Sequence, residues 1–286
     1  MNSAWLFPLP IEGEGTGDVE ALSSYVLRLA SAHSVGSGTL VKMILDRFTF
    51  SDESVKRSAF NIPGEALIRP NATTLAMVQA IAGATGHSQE RLECTTFLVT
   101  IDALQRSQSA FSPQLRWCPA CFRECLDQDR PAYFKLKWQV RVVQSCDVHG
   151  VRLRASCPIC GASQGGGRVR ESMHDCVKCG TVLHGPSKRA DLVSNQFDQL
   201  GELVEHVASN PGCRFPKGGV ARVVGGLLHD AWKDERETEL FRTLPRDECV
   251  RFANDTEPVT LQSALRIAFR LHIPIVSLLQ GRIDGT

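Results

Sequence analysis

The chain has 286 residues and a formal net charge of +1, with 43% hydrophobic and 22% charged residues. This composition is typical of a folded soluble protein and argues against a disordered chain, and the near-zero net charge does not indicate a particular partner. No stretch is apolar enough to span a membrane, and the N-terminus shows no secretory signal. We therefore expect a cytoplasmic protein of one to three domains whose eleven cysteines stay reduced and can bind metal.

The turn and helix signals divide the chain into three parts and indicate a mainly α fold with a small amount of β structure. Residues 1–112 form an N-terminal helical region, residues 113–190 a cysteine-rich module, and residues 191–286 a C-terminal helical region. Residues 111–190 hold 13 basic and 6 acidic side chains. This module is therefore the basic part of the chain.

The helical regions contain a spacing that is typical of helix-turn-helix (HTH) units. A small residue is followed four positions later by a turn residue and six positions further by an apolar residue, so that two helices can cross closely. Three sets show it: Ala30, Ser34 and Leu40; Ala82, Gly86 and Leu92; and, as a second HTH in the C-terminal region, Ala268, His272 and Leu278. The spacing is common in helical bundles, and acidic side chains follow Gly86. A unit that binds protein fits this pattern as well as one that binds DNA.

Seven cysteines and one histidine form four pairs, each with two residues between the partners, and such a knuckle aims two side chains at one metal ion. In a sequential pairing, the first ion is held by Cys118, Cys121, Cys146 and His149, and the second by Cys157, Cys160, Cys176 and Cys179. A crossed pairing, as in RING-type ubiquitin ligases, needs the middle pairs nearly adjacent, whereas seven residues separate His149 from Cys157. We favour the sequential pairing and keep the crossed one as the alternative.

Eight protein ligands for two ions leave no open position for water or substrate, which indicates two structural Zn²⁺ sites. The sequence contains no Gly-rich phosphate loop, no nucleophile elbow and no H-E-x-x-H pair. We therefore expect a protein without enzymatic activity in which the metal ions hold the module together.

Apolar and polar residues alternate over residues 134–142 and 151–154, as in a strand with one buried face, and Gln139 falls on the polar face of the first stretch. The basic positions are Lys135, Lys137 and Arg141 in the first stretch and Arg152 and Arg154 in the second. Hairpins braced by zinc are zinc ribbons, so we expect a tandem zinc-ribbon module. Its five basic side chains predict a strip that contacts nucleic-acid phosphates. A solvated face and a protein-docking surface are the alternatives.

Several motifs resemble the TniQ/TnsD family of transposon target-selection proteins, over about residues 5–185. They are Pro8, Pro10, Leu22-Ser23-Ser24-Tyr25, Arg28-Leu29-Ala30, Trp117-Cys118-Pro119-Ala120-Cys121, Tyr133-Phe134, Trp138, Cys146-Asp147-Val148-His149-Gly150, Leu153 and Cys157-Pro158-Ile159-Cys160-Gly161. The acidic position in the family's opening motif corresponds to either Glu14 or Glu20, because the residues between them look like an insertion.

The resemblance implies N-terminal HTH helices, tandem zinc ribbons and a variable helical tail. It also implies a non-catalytic adaptor of DNA transposition in the bacterial cytoplasm, at the nucleoid, that recruits a TnsC-like AAA+ ATPase. Family members recognise target DNA directly or dock on a CRISPR effector complex with its guide RNA. The modest length of this chain favours docking, and a sequence-specific DNA-binding protein is the alternative. A homodimer is compatible with either role, and no membrane partner is expected.

Overall fold

The computed structural model describes residues 4–48, 67–104, 110–165, 172–185, 195–235, 237–254 and 259–283. Within these ranges the structure is mainly helical, and β structure is limited to isolated bridges, which confirms the expected mainly α fold. The predicted boundary at residues 190 and 191 lies outside the described residues and stays a prediction. No helix in the described part is long and apolar enough to cross a bilayer.

The described helices of the N-terminal region are α1 (Leu22–Ala32), α2 (Ser37–Arg47), α3 (Ala72–Thr85) and α4 (Gln89–Glu93). Asn71 caps helix α3, and its side-chain oxygen accepts a hydrogen bond from the Thr74 amide at 2.8 Å. Ser88 caps helix α4 in the same way. Each cap satisfies an amide that has no partner inside its helix. Helix α1 is buried from its first residue to Ala30, so the region packs around it.

All three HTH spacings coincide with a left-handed residue between two helices. The turn residues Ser34, Gly86 and His272 have φ angles of 55°, 79° and 53°. A left-handed residue ends a helix and redirects the chain, which explains why two helices meet at each site. Helix α4 has only five residues, and helices of this length give no support for DNA recognition. A DNA-binding HTH therefore remains a prediction.

The metal module contains helix α5 (Pro119–Asp127) and a short 3₁₀ turn over Lys137–Gln139. The predicted strand through residues 134–142 is wrong, because this turn interrupts it and only isolated bridges flank it. The reason lies in Gln139, which is buried and exchanges two hydrogen bonds of 3.1 Å with the backbone of Arg116. A polar residue that was expected on the solvent face thus points inward. These residues therefore cannot form a strand with one face exposed to solvent.

The described C-terminal helices are α6 (Asn195–Ser209), α7 (Gly219–Lys233), α8 (Glu237–Thr243), α9 (Arg246–Ala253), α10 (Leu261–Leu271) and α11 (Ile275–Gln280). They rest on the N-terminal region through an ion pair of 2.8 Å between Arg214 and Glu93. The Phe215 amide also donates to the Val99 carbonyl at 2.9 Å. Buried side chains from all three parts of the chain form one hydrophobic cluster. The metal module therefore shares one core with both helical regions.

Candidate metal centres and the surrounding charged surface

Cys118, Cys121, Cys146 and His149 converge on one point. Their ligand atoms all lie within 4.8 Å of one another. The Cys121 and Cys146 sulfurs are 3.7 Å apart, and His149 Nδ1 lies 3.3 Å from the Cys121 sulfur and 3.6 Å from the Cys118 sulfur. Four ligands on a tetrahedral ion with Zn–S bonds of about 2.3 Å would have sulfurs about 3.8 Å apart. The spacing fits such an ion.

The second cluster has the same geometry with four thiols. The Cys157 and Cys179 sulfurs are 3.7 Å apart, and those of Cys160 and Cys176 are 3.6 Å apart. The structure thus brings the ligands together in the sequential pairing, and it does not form the crossed one. Each cluster provides four protein ligands, so either could hold a metal ion with a closed shell.

The backbone of three knuckles explains how each pair of side chains is aimed. Gly150, Gly161 and Gly180 follow the second ligand of their knuckles and have positive φ angles between 61° and 69°. Each glycine amide donates to the carbonyl of the first ligand four residues earlier at 2.8–3.0 Å. The first knuckle differs, because Cys118 caps helix α5 instead. A tight turn or a helix start therefore directs the two side chains of each pair toward the same point.

The first cluster has a supporting residue that sequence reasoning missed. Glu124, on helix α5, lies 2.9 Å from His149 Nε2. A carboxylate on the outer nitrogen fixes the ring and leaves Nδ1 directed at the other ligands. Hydrogen bonds from the Cys118 and Cys121 thiols lower the pKa of Cys146, so the cluster favours an anionic sulfur. The donors suit a soft divalent ion such as Zn²⁺, and the four N and S atoms that they supply could hold it.

Two of the five basic residues predicted to contact phosphates face inward. Lys135 is buried, and its ammonium lies 2.8 Å from Asp18. Lys137 contacts both Asp18 at 2.7 Å and Asp147 at 2.6 Å. Although burial opposes it, hydrogen bonds from both lysines lower the pKa of Asp18. These lysines join the N-terminal segment to the knuckle of the first cluster and do not line a common strip.

The three arginines of the predicted strip have different surroundings. Arg141 is exposed, and its Nε donates to the Phe111 carbonyl at 2.9 Å. Arg152 is exposed and pairs through its backbone with Ser145, whereas Arg154 is half-buried and pairs with Trp117. The structure therefore does not align the five residues on one strand face. Their contact with nucleic acid is untested.

A buried ion pair also lay outside the sequence interpretation. Glu20 is fully buried, and its Oε1 accepts a hydrogen bond of 2.6 Å from Arg28. Glu14, the other acidic residue of the opening motif, lies at the surface and pairs with Arg91. Glu20 is thus the acidic residue that packs against the Arg28-Leu29-Ala30 segment of α1. Its position eight residues before Arg28 was the available signal.

Comparison with known proteins gives one family match. The family model named TniQ matches residues 14–153. The matched range includes the helices of the N-terminal region and the first metal cluster, and the second cluster follows it. No curated protein matches the chain.

Proposed function

Since residues 14–153 place the chain in the TniQ family, whose members take part in target selection for transposition, we propose that it is a non-catalytic adaptor. In this role it links a target complex to a TnsC-like AAA+ ATPase. The observation that carries the proposal is the family match over the N-terminal helices and the first metal cluster. The target complex is either DNA or a CRISPR effector with its guide RNA.

The chemistry of the two clusters supports a structural role for their metal. Each cluster offers four ligands to one ion, and a closed shell has no position for a reacting water or substrate. We infer that both hold Zn²⁺, because thiolate and imidazole ligands in a tetrahedral arrangement suit it. The ions would then keep the module folded between the helical regions and leave its surface for binding.

The contact with target DNA is a weaker part of the role. Lys135 and Lys137 neutralise carboxylates of the same chain, so they are not proposed as phosphate contacts. The contact is proposed for the second stretch, where Arg152 is exposed and Arg154 is half-buried. Two contacts supply little affinity, and what they supply falls steeply with salt. The partner would therefore choose the target, and the protein would assist on nearby DNA.

The test combines the purified, metal-loaded chain with the AAA+ ATPase encoded nearest to its gene and with a randomised duplex pool. We expect the ATPase to co-elute with the chain in size-exclusion chromatography, and the chain alone to bind duplexes weakly without enriching a motif. Replacing Arg152 and Arg154 by Gln should reduce the salt slope by about 2, whereas R123Q on α5 serves as the matched control.

Two results would overturn parts of the proposal. If no ATPase complex forms at any protein concentration used, the adaptor role fails. If the chain alone enriches one sequence motif, it reads DNA directly, and the alternative of a sequence-specific DNA-binding protein replaces the docking mode.

A further inference from the structure

A cleft of about 380 Å³ lies between the metal module and helix α10, and none of the eight ligand residues lines it. The module contributes Val140, Arg141, Val142 and Gln144, and α10 contributes Gln262 and Leu265. The cleft is thus lined by aliphatic side chains, two amides and one guanidinium. Binding clefts commonly form between two parts of a chain, as this one does.

Arg141 is held so that its charge faces the cleft. Its amide donates to the Ala110 carbonyl at 2.8 Å, and its Nε donates to the Phe111 carbonyl at 2.9 Å. Gln144 donates to the Arg141 carbonyl at 3.0 Å. Within the described ranges, the terminal nitrogens of Arg141 have no hydrogen-bond partner and the residue has no ion pair. A fixed guanidinium with free N–H groups is prepared for a planar anion.

A second arginine, Arg116, supports the backbone of the residues that line the cleft. Arg116 is 9% exposed, and its terminal nitrogens donate to the carbonyls of Val143 at 2.7 Å and Val140 at 2.5 Å. It braces the backbone on both sides of Arg141. Among the residues that the structure describes, no carboxylate pairs with it. This side of the cleft therefore holds two positive charges, one buried and one exposed, without a counter-ion among the described residues.

The side chains that line the cleft determine which anion it can bind. DNA phosphates are bound by exposed cations spread along a surface, whereas here one exposed guanidinium lies between aliphatic side chains. Val142 is half-buried and offers apolar contact, whereas Val140 and Leu265 are almost fully buried beneath it. The amides of Gln144 and Gln262 can donate to and accept from a peptide backbone. An extended segment with an acidic residue next to an aliphatic one matches all of these groups.

We propose that this cleft binds an acidic–aliphatic peptide segment of a partner protein, with its carboxylate on Arg141. Arg116 acts as a positioning residue that holds the backbone and adds positive potential. The cleft needs no role in transposition to bind such a segment, so this proposal and the adaptor role can fail separately.

The test selects random short peptides displayed on phage against the metal-loaded full chain. We expect enrichment of Asp or Glu beside Leu, Ile or Val. An enriched peptide, labelled with fluorescein, should bind R141Q about tenfold more weakly than the wild type, because one charge-assisted bidentate pair is lost. R123Q removes an exposed arginine outside the cleft and should bind like the wild type.

A second variant protects the test against misfolding of R141Q. Gln262 is exposed on α10, so Q262E should fold normally, while its new carboxylate competes for Arg141 and weakens the peptide by a similar factor. The proposal is overturned if no acidic motif is enriched, or if R141Q and Q262E both bind the peptide as well as the wild type. It is also overturned if duplex DNA displaces the peptide and itself depends on Arg141, since the cleft would then be a phosphate site.

Discussion

Arg28 organises the start of the fold at the level of single residues. It reaches Glu20 at 2.6 Å, Glu12 at 2.9 Å and the Pro10 carbonyl at 3.2 Å, and both Arg28 and Glu20 are buried. One guanidinium thus ties the N-terminal segment to helix α1. Such pairs hold a specific arrangement more than they add net stability, because both charges lose their water.

The first prediction concerns the charge of Glu20. Burial raises its pKa to about 7, against the opposing charge of Arg28. The folded state then binds a proton that the unfolded state has already released, so stability falls as pH rises from the unfolded pKa near 4.5 through about 7. Between pH 6 and 8 the wild type should lose about 1.4 kcal/mol relative to E20Q, which has no proton to release.

Urea unfolding of both proteins at the two pH values measures this difference. Every other titrating group is common to both proteins, so the difference between their pH profiles reports on Glu20 alone. Parallel pH profiles for the wild type and E20Q would show that Arg28 keeps Glu20 ionised throughout.

The second prediction concerns Glu124, which lies behind the first metal cluster. E124Q removes the charge that orients His149 through Nε2, so the affinity of this cluster for Zn²⁺ should fall by roughly 10-fold to 100-fold. Competition with a chromophoric chelator measures the affinity of each site separately, and only one of the two ions should be bound more weakly. D127N on the same helix is the matched control. Unchanged affinity in E124Q would leave Glu124 with no part in metal binding.

The eight metal ligands could be predicted from the sequence because their spacing alone carries the geometry. Two ligands with two residues between them are directed at one ion by a tight turn or a helix start, and the seven residues between His149 and Cys157 separate the clusters. Lys135 could not be placed in this way. Its partner Asp18 lies far away in the chain, and alternation shows which side chains are basic without showing what lies across from them.

At the scale of helices, turn residues were easier to predict than the strand. The spacing around Gly86 depends on one backbone angle, and that angle is a local property. The strand through residues 134–142 depended on which neighbours covered each face. Gln139 lies on the face that was expected to be exposed to solvent, yet it is hydrogen-bonded to Arg116. Periodicity cannot reveal this contact.

The third prediction uses two glycines at the end of α3. Gly86 has φ 79°, and an added Cβ would lie 3.2 Å from the Ala4 side chain, so G86A should cost about 1–2 kcal/mol. Gly83 lies inside the helix with open space around its Cα, so G83A should stabilise by about 0.5–1 kcal/mol. Urea unfolding of the metal-loaded variants measures both. Equal effects of the same sign would show that backbone angle does not control this corner.

On the scale of the whole molecule, the N-terminal region and the metal module fold as neighbours. The Ala21 amide donates to the Phe134 carbonyl at 2.9 Å, and the Leu136 amide donates to the Val19 carbonyl at 2.8 Å. Lys137 then connects Asp18 to Asp147, which lies between two ligands of the first cluster. A continuous set of contacts therefore runs from the start of α1 to the first metal centre.

The fourth prediction follows from this connection. Cys146→Ser should empty the first cluster and accelerate hydrogen exchange of the α1 amides at least about tenfold, because local opening of the module removes the partners of residues 19–24. Cys179→Ser removes an exposed ligand of the second cluster and should leave α1 protected. Hydrogen exchange by mass spectrometry, with metal content measured on the same samples, compares the two. If both variants leave α1 equally protected, the N-terminal helical region stays folded without the metal. The contacts through Lys137 then do not couple α1 to the first metal cluster.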